Sequence, residues 1–261
     1  MTGVILTGAV RWRNGSHGTG GDVSHPLNDP LAGTPWSDPG TVAGFSQSPP
    51  NDVLMRFGRA ELARVDRAGT VLDIGCGAGR NAVPLAAMGW HVVGTDLSWP
   101  MLQAAAAREV PGTSPGRLTL CLASMERLPV ADRSMDAVIA HGISNLARSA
   151  AQFRQAVHDA ARAAKPGAAL FVFTFSRHTL PADAQPVPGE PFVFTQFSGQ
   201  PQCFLTEAQL VDELDRAGFI PDKAVPLTEY NRPTAVTVQH GGPVIYEAAF
   251  RRRGAGPARG Y

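Results

Sequence analysis

A carboxylate, three alternate glycines and a second carboxylate are the residues of this chain whose types and spacing could do chemistry. They lie in Val71-Leu72-Asp73-Ile74-Gly75-Cys76-Gly77-Ala78-Gly79 and at Asp96, which closes the next apolar run, His91 to Thr95. Alternate glycines admit positive φ and let a ligand approach the backbone with no side chain between. An acid at the end of the following strand is placed for the hydroxyls of a ribose. A dinucleotide site wants Gly-x-Gly-x-x-Gly and a turn that welcomes anions. Here the spacing is Gly-x-Gly-x-Gly, and a carboxylate at Asp73 would repel a pyrophosphate while attracting an ammonium or sulfonium. The loop therefore favours a cationic nucleoside.

These groups must be carried by strands and turns. From Thr70 short apolar runs alternate with helical patterns, which implies an α/β fold with a mostly parallel sheet and helices on both faces. Strands are expected at Thr70 to Ile74, His91 to Thr95, Arg117 to Leu122 and Met135 to Ala140. Ala168 to Phe175 is nearly unbroken in its apolarity, the mark of a strand buried on both faces, and Ala224 to Tyr230 and Val244 to Arg251 complete seven. Pro84 is compatible with a helix after the glycine turn if Asn81 caps it, and Ser98 can cap the next. The helix carrying Phe153 and Val157 should end near Lys165-Pro166-Gly167, and another should run from Thr206 to Ala217.

The first motif, Asp96 and the stretch Ala123 to Val138 together resemble the class I S-adenosylmethionine-dependent methyltransferases. That family shows an acid and a hydrophobic residue before Leu-Pro, here Ser124-Met125-Glu126-Arg127-Leu128-Pro129, and then a strand opening on Phe-Asp, here Met135-Asp136. The resemblance covers roughly Thr70 to Ala217. It implies a Rossmann-like seven-stranded sheet with the last strand antiparallel. It also implies S-adenosyl-L-methionine as cofactor and S-adenosyl-L-homocysteine as product. Asp73, Gly75, Cys76, Gly77 and Gly79 would hold the methionine end, Asp96 the ribose, and Leu97, Ser124 and Met125 the adenine. Ser124 stands where the family usually carries an aspartate, and a neutral acceptor there is about 1 kcal/mol weaker. Lys165-Pro166-Gly167-Ala168 resembles the family's Lys-Pro-Gly-Gly turn with its second glycine replaced.

His141, in His141-Gly142-Ile143-Ser144-Asn145 after the fourth strand, faces the methionine half of the cofactor or acts as general base, since neutral imidazole suits proton removal near pH 7. The bland reading is a structural histidine at a strand end. His178, Tyr230 and His240 are weaker acid/base candidates. The segment lacks the Asn/Asp-Pro-Pro-Tyr pattern of enzymes that methylate base nitrogens, which argues against a nucleic acid substrate. The expected activity is in-line methyl transfer to a small, apolar or aromatic metabolite. A non-catalytic cofactor-binding or partner protein, or an NAD(P)-dependent reductase, are the alternatives.

With 261 residues, 44% of them apolar, the chain can bury a central sheet between two helical layers. A net charge of +1 provides no global field to gather polyanions, and Arg251-Arg252-Arg253 reads as a solvated strand end. No segment approaches the ~18 apolar residues of a membrane span, so a cytoplasmic protein is expected. Cys76, Cys121 and Cys203 are too far apart for a short-spaced metal motif, so no metal is expected; Cys76 and Cys121 read as packing residues, and Cys203 as a buried inert cysteine or a substrate-side thiol. Residues 1–35, rich in Gly, Ser, Asn and Pro, read as a mobile arm, 70–253 as the methyltransferase domain and 254–261 as a tail, while the helical pieces of 36–69 form a lid, as the resemblance implies, or merely cover the sheet edge. Within the domain, 176–205 is expected to cap the substrate, with Phe192 and Phe194 in a short hairpin or a hydrophobic flap.

Overall fold

The computed structural model describes residues 5–7, 29–65, 67–110, 114–232 and 242–254. Its first elements are β1 (Ile5–Thr7), α1 (Pro39–Gln47), α2 (Asp52–Val65), β2 (Thr70–Ile74), α3 (Ala82–Met88) and β3 (His91–Asp96). Next come α4 (Trp99–Ala106), β4 (Arg117–Leu122), β5 (Met135–His141), α5 (Ala150–Ala163) and β6 (Ala164–Phe175). The chain closes with β7 (Val193–Phe194), β8 (Gln202–Cys203), α6 (Glu207–Arg216), β9 (Phe219–Pro221), β10 (Thr228–Tyr230) and β11 (Ile245–Arg252).

β4, β3, β2, β5 and β6 lie side by side and parallel. β11 joins β6 antiparallel, with β9 and β10 beyond it, and β1 pairs antiparallel with β4 at the opposite edge. Strand order reverses at β2, so the crevice where ligands bind opens at the carboxyl ends of β2 and β5. Side chains alternate between faces. Leu72 and Ile74 pack with Val138, Leu170 and Val172 under α5 and α6. Val71, Ile139 and Phe171 pack on the other face under Leu54 and Phe57 of α2, Leu85 of α3 and Leu102 of α4. Asp73, two residues after Val71, therefore points to the α2 and α3 face.

Several local expectations hold. Ser98 Oγ accepts from the Met101 N–H (3.2 Å), and Thr206 forms a reciprocal capping box with Gln209. Asn81 stands at the N-cap of α3 with Pro84 in the first turn, but its side chain accepts from the Asn51 N–H (3.0 Å) instead of capping its own helix. The hairpin expected around Phe192 exists as β7 and β8, and Phe192 and Val193 are buried against the α5 side of the sheet.

Three expectations are corrected. β6 begins at Ala164 rather than Ala168, with Met135 opposite Ala164 and Ala137 opposite Ala169. Pro166, which has no N–H, and Gly167, at φ +78°, bulge out of the ladder instead of separating helix from strand. Of the expected strand at 224–230 only β10, at its end, forms, since Pro226 cannot donate to the ladder, and β9 precedes that range as a short strand the sequence reading did not include. Arg251 to Arg253 are not merely solvated. Arg251 pairs with Glu61 (2.8 Å) and Asp222, and Arg253 with Asp215.

Asp136, at the start of β5, ties the foot of the sheet together, accepting from the Thr70 N–H (3.0 Å), Lys165 Nζ (2.8 Å) and Arg67. Burial would raise its pKa, but Lys165, the Thr70 amide and Arg67 outweigh burial and hold the carboxyl below its ordinary range. A depressed folded-state pKa adds stability that is present above the unfolded value of about 3.9 and lost as pH falls through the folded value. Asp136→Asn should therefore lower unfolding stability by about 1–3 kcal/mol at neutral pH and flatten its decline below about pH 4 in chemical denaturation.

Candidate functional site

The three glycines after β2 take positive φ, +69° at Gly75, +52° at Gly77 and +75° at Gly79. At Gly75 an added Cβ would lie 2.8 Å from Ile143, whereas at Gly77 it would meet only the Met101 Sδ, 4.0 Å away. The loop thus packs tightly at its first glycine and leaves its second open to a visitor. Cys76 anchors it, its N–H donating to the Thr95 carbonyl (2.9 Å), and burial raises its thiol pKa well above normal, so it is a packing group.

Asp96, at the end of β3, accepts from the Gly77 N–H (2.9 Å) at one oxygen and from the Ser98 N–H (2.8 Å) at the other. It braces the glycine loop and retains lone pairs toward the crevice. Burial raises its pKa against the pull of these amides. The Ala123 N–H donates to the Asp96 carbonyl (3.0 Å), which brings the loop of Ser124 and Met125 beside Leu97. Met125 is buried, while Leu97 and Ser124 are half-buried.

Asp73 is buried, and its Oδ2 has no hydrogen-bond partner. Burial first, and Asp96 second, push its pKa up to about 7 against the Arg80 charge. Such a carboxylate lacks the cation that would stabilise it. Arg80 also reaches His141, with Nη2 3.2 Å from Nε2. The His141 ring stacks on Phe173 at 4.1 Å, and burial, then Arg80, lower its pKa to about 3. The ring is neutral near pH 7, as a base must be, yet a weak proton acceptor.

The structure brings Asp73, the glycine loop, Asp96, Leu97, Ser124, Met125 and His141 to the strand ends flanking the β2 switch point. His178 lies elsewhere: its Nδ1 is 2.6 Å from Glu229, which also accepts from Ser176 Oγ (2.6 Å), so the cluster clamps β10 to the end of β6. Tyr230 is exposed, and His240 falls outside the described residues. Cys203 is buried, and burial leads the effects that raise its thiol to about 12. Among the described residues no group of His, Cys, Asp and Glu could hold a metal, and no helix is long and apolar enough to cross a membrane. Arg80, Asn51 and Glu247 were missed from sequence. Arg80 directly follows the last glycine, a signal in plain view; the other two had none.

Chemically, a buried acid with a free oxygen suits an ammonium, the open glycine suits a ligand against the backbone, and the acid on β3 suits vicinal hydroxyls. This is the donor set that S-adenosylmethionine requires, and the residues present fit it. The family model described as a methyltransferase domain matches residues 71–167. The ubiquinone/menaquinone biosynthesis C-methyltransferase UbiE of Syntrophotalea carbinolica is 42% identical over 44% of this chain and 47% of its own length. The demethylmenaquinone methyltransferase of Mycolicibacterium vanbaalenii is 30% identical over 64% of this chain and 75% of its own. The chain spans about half the length of the first two curated relatives it matches. In fold it is similar to the Burkholderia thailandensis 1,6-didemethyltoxoflavin-N1-methyltransferase with bound 1,6-didemethyltoxoflavin and S-adenosylhomocysteine, with TM-score 0.56 and 20% identity, covering 76% of this chain and 78% of that one.

An amine bound at Asp73 favours the ionised carboxylate, so affinity should strengthen as pH rises through about 7 in the free protein. Calorimetric titration with S-adenosylhomocysteine should show tighter binding at about pH 8 than at about pH 6. Asp73→Asn should bind roughly 10- to 100-fold more weakly at the higher pH and lose this dependence.

Proposed function

The chain belongs to the class I S-adenosylmethionine-dependent methyltransferases, and we propose that it methylates a small aromatic metabolite of the quinol type. The observation that carries the cofactor half of this reading is the unpartnered oxygen of buried Asp73 beside the glycine loop. The acceptor half is supported by the names of the two relatives given above, a ubiquinone/menaquinone biosynthesis C-methyltransferase and a demethylmenaquinone methyltransferase.

In this reading Asp73 takes the amine of the methionine end, and the backbone from Gly75 to Gly79 lies against it. Asp96 accepts from the ribose hydroxyls. Leu97 and Met125 sandwich the adenine, with the Met125 N–H and the Ser124 hydroxyl toward its polar edge. His141, neutral and held flat on Phe173, flanks the reacting centre. When bound, the sulfonium supplies an electrophilic methyl carbon.

The chain's own contribution is alignment and the exclusion of water. Holding two reactants in line can supply ~7–11 kcal/mol, against ~10²–10⁴-fold from a general base. α2 lies over one face of the sheet, with Leu54 fully buried and Phe57 against Phe171 at 5.3 Å, and in this reading its amino end closes the crevice. A dry site keeps the nucleophile from being solvated.

Transfer of labelled methyl to reduced 1,4-naphthoquinones is the direct test; tight S-adenosylhomocysteine binding without transfer to any metabolite in a wide panel would leave a binding protein instead. Asp96→Ala should weaken cofactor binding by ~10- to 100-fold, since a hydrogen bond to a charged acceptor contributes about 1.5–3 kcal/mol. An unchanged dissociation constant in a folded variant would remove Asp96 from the ribose.

A further inference from the structure

Outside the cofactor residues, the carboxylate with least explanation is Glu247, in the middle of β11. It is only 3% exposed, and its Oε1 has no hydrogen-bond partner. A structural acid at such a depth is ordinarily paired. Glu61, on the same side of the sheet, shows the contrast, with two arginines on its carboxylate.

Register places Glu247 relative to the cofactor residues. His141 is opposite Phe173, and Phe173 is opposite Glu247, so the three form one row across β5, β6 and β11. Strands are about 4.8 Å apart, so Glu247 lies roughly 10 Å from His141, on the side away from Asp73. Phe173 stacks on His141 on the face under α2, and cross-strand partners share a face, so Glu247 points there too. Above it stands the start of α2. Asn51 Nδ2 approaches Glu247 Oε2 at 3.4 Å, while the Asn51 N–H donates to Asn81 at the head of α3 (3.0 Å). Asn51 thus spans from the helix after the glycine loop to the acid. Of the charged groups on this face, Arg56 on α2 favours the carboxylate, Glu61 is taken up by Arg64 and Arg251, and Arg80 and Asp73 lie beyond the neutral His141.

We infer that Glu247, positioned by Asn51, is the proton acceptor for an aromatic hydroxyl on the methyl acceptor. This rests on the methyltransferase reading above. Glu247 takes the hydroxyl proton. The O–H electron pair is delivered through the ring to form the carbon–carbon bond to the methyl group, and the sulfur–carbon pair leaves with sulfur. The ring carbon then loses its own hydrogen as a proton to water, and Glu247 returns the first proton to the oxygen. Burial raises the pKa of Glu247 against Asn51 and Arg56, which brings a carboxylate closer to the range useful for proton transfer near neutrality.

Two measurements test this. In the S-adenosylhomocysteine complex, wild-type protein should bind 1-naphthol about tenfold more tightly than 1-methoxynaphthalene, and Glu247→Gln should reduce that preference to about twofold or less. With reduced 1,4-naphthoquinones, Glu247→Gln should lower kcat by about 100-fold, remove the acidic limb of the pH profile and leave S-adenosylhomocysteine affinity within about twofold. Equal naphthol preference in wild type and variant, or unchanged kcat, would overturn the assignment. Loss of cofactor affinity in step with activity would likewise reduce Glu247 to a structural role. If Glu247→Gln does not fold, Glu247→Asp takes its place, and wild-type kcat with the shortened acid overturns the inference. A wild type that binds S-adenosylhomocysteine but transfers no methyl would defeat the functional reading, while the naphthol comparison still decides the role of Glu247.

Discussion

A carboxylate held in the interior without its cation is the constraint around which this fold is arranged. Asp73 ends on the face beneath α2 and α3 because strand alternation sends Leu72 and Ile74 to the other side. Burial makes its charge costly, and Arg80 offsets part of that cost. Asp96 adds to the strain by its own charge, yet its bonds to Gly77 and Ser98 fix the loop that a ligand must lie against. The site is therefore rigid in its backbone and incomplete in its charge, a combination that favours a ligand bringing a positive group into a finished cradle.

Much of this was legible from local chemistry. Asp73, the glycines and Asp96 are close in sequence and obey rules of backbone geometry, and the caps at Ser98 and Thr206 follow from side-chain reach alone. What was not legible depends on register. Nothing local shows that Glu247 shares a row with His141, since that needs the pairing of β5, β6 and β11. The same holds for Arg251: three consecutive arginines look solvated until Glu61, on a helix far away in sequence, is found against the first of them. The bulge at Pro166 and Gly167 was misread as a turn because both features use the same residue types.

The two ends of the sheet divide the labour. At the amino ends of the strands, Asp136 is fully satisfied by Thr70, Lys165 and Arg67, so charge there is neutralised and holds elements together. At the carboxyl ends, Asp73 and Glu247 each keep an oxygen unsatisfied. Buried acids at the two ends thus differ in whether a cation bonds the carboxylate directly, and in the reading proposed here the paired one serves cohesion and the unpaired ones the reaction.

The interruption between β9 and β10 also bears on how copies of this chain meet. An outermost strand exposes a row of free amides and carbonyls that can template the addition of a strand from another molecule. Here Pro221 and Pro226 remove donors from that row, and the segment between them bulges around Ala249, Asp222 donating to that residue and Val225 accepting from it, before Thr228 resumes the regular ladder. Only short runs of backbone remain for a second chain to zip onto, so the border of the sheet is guarded against polymerisation by the same prolines that break it in two.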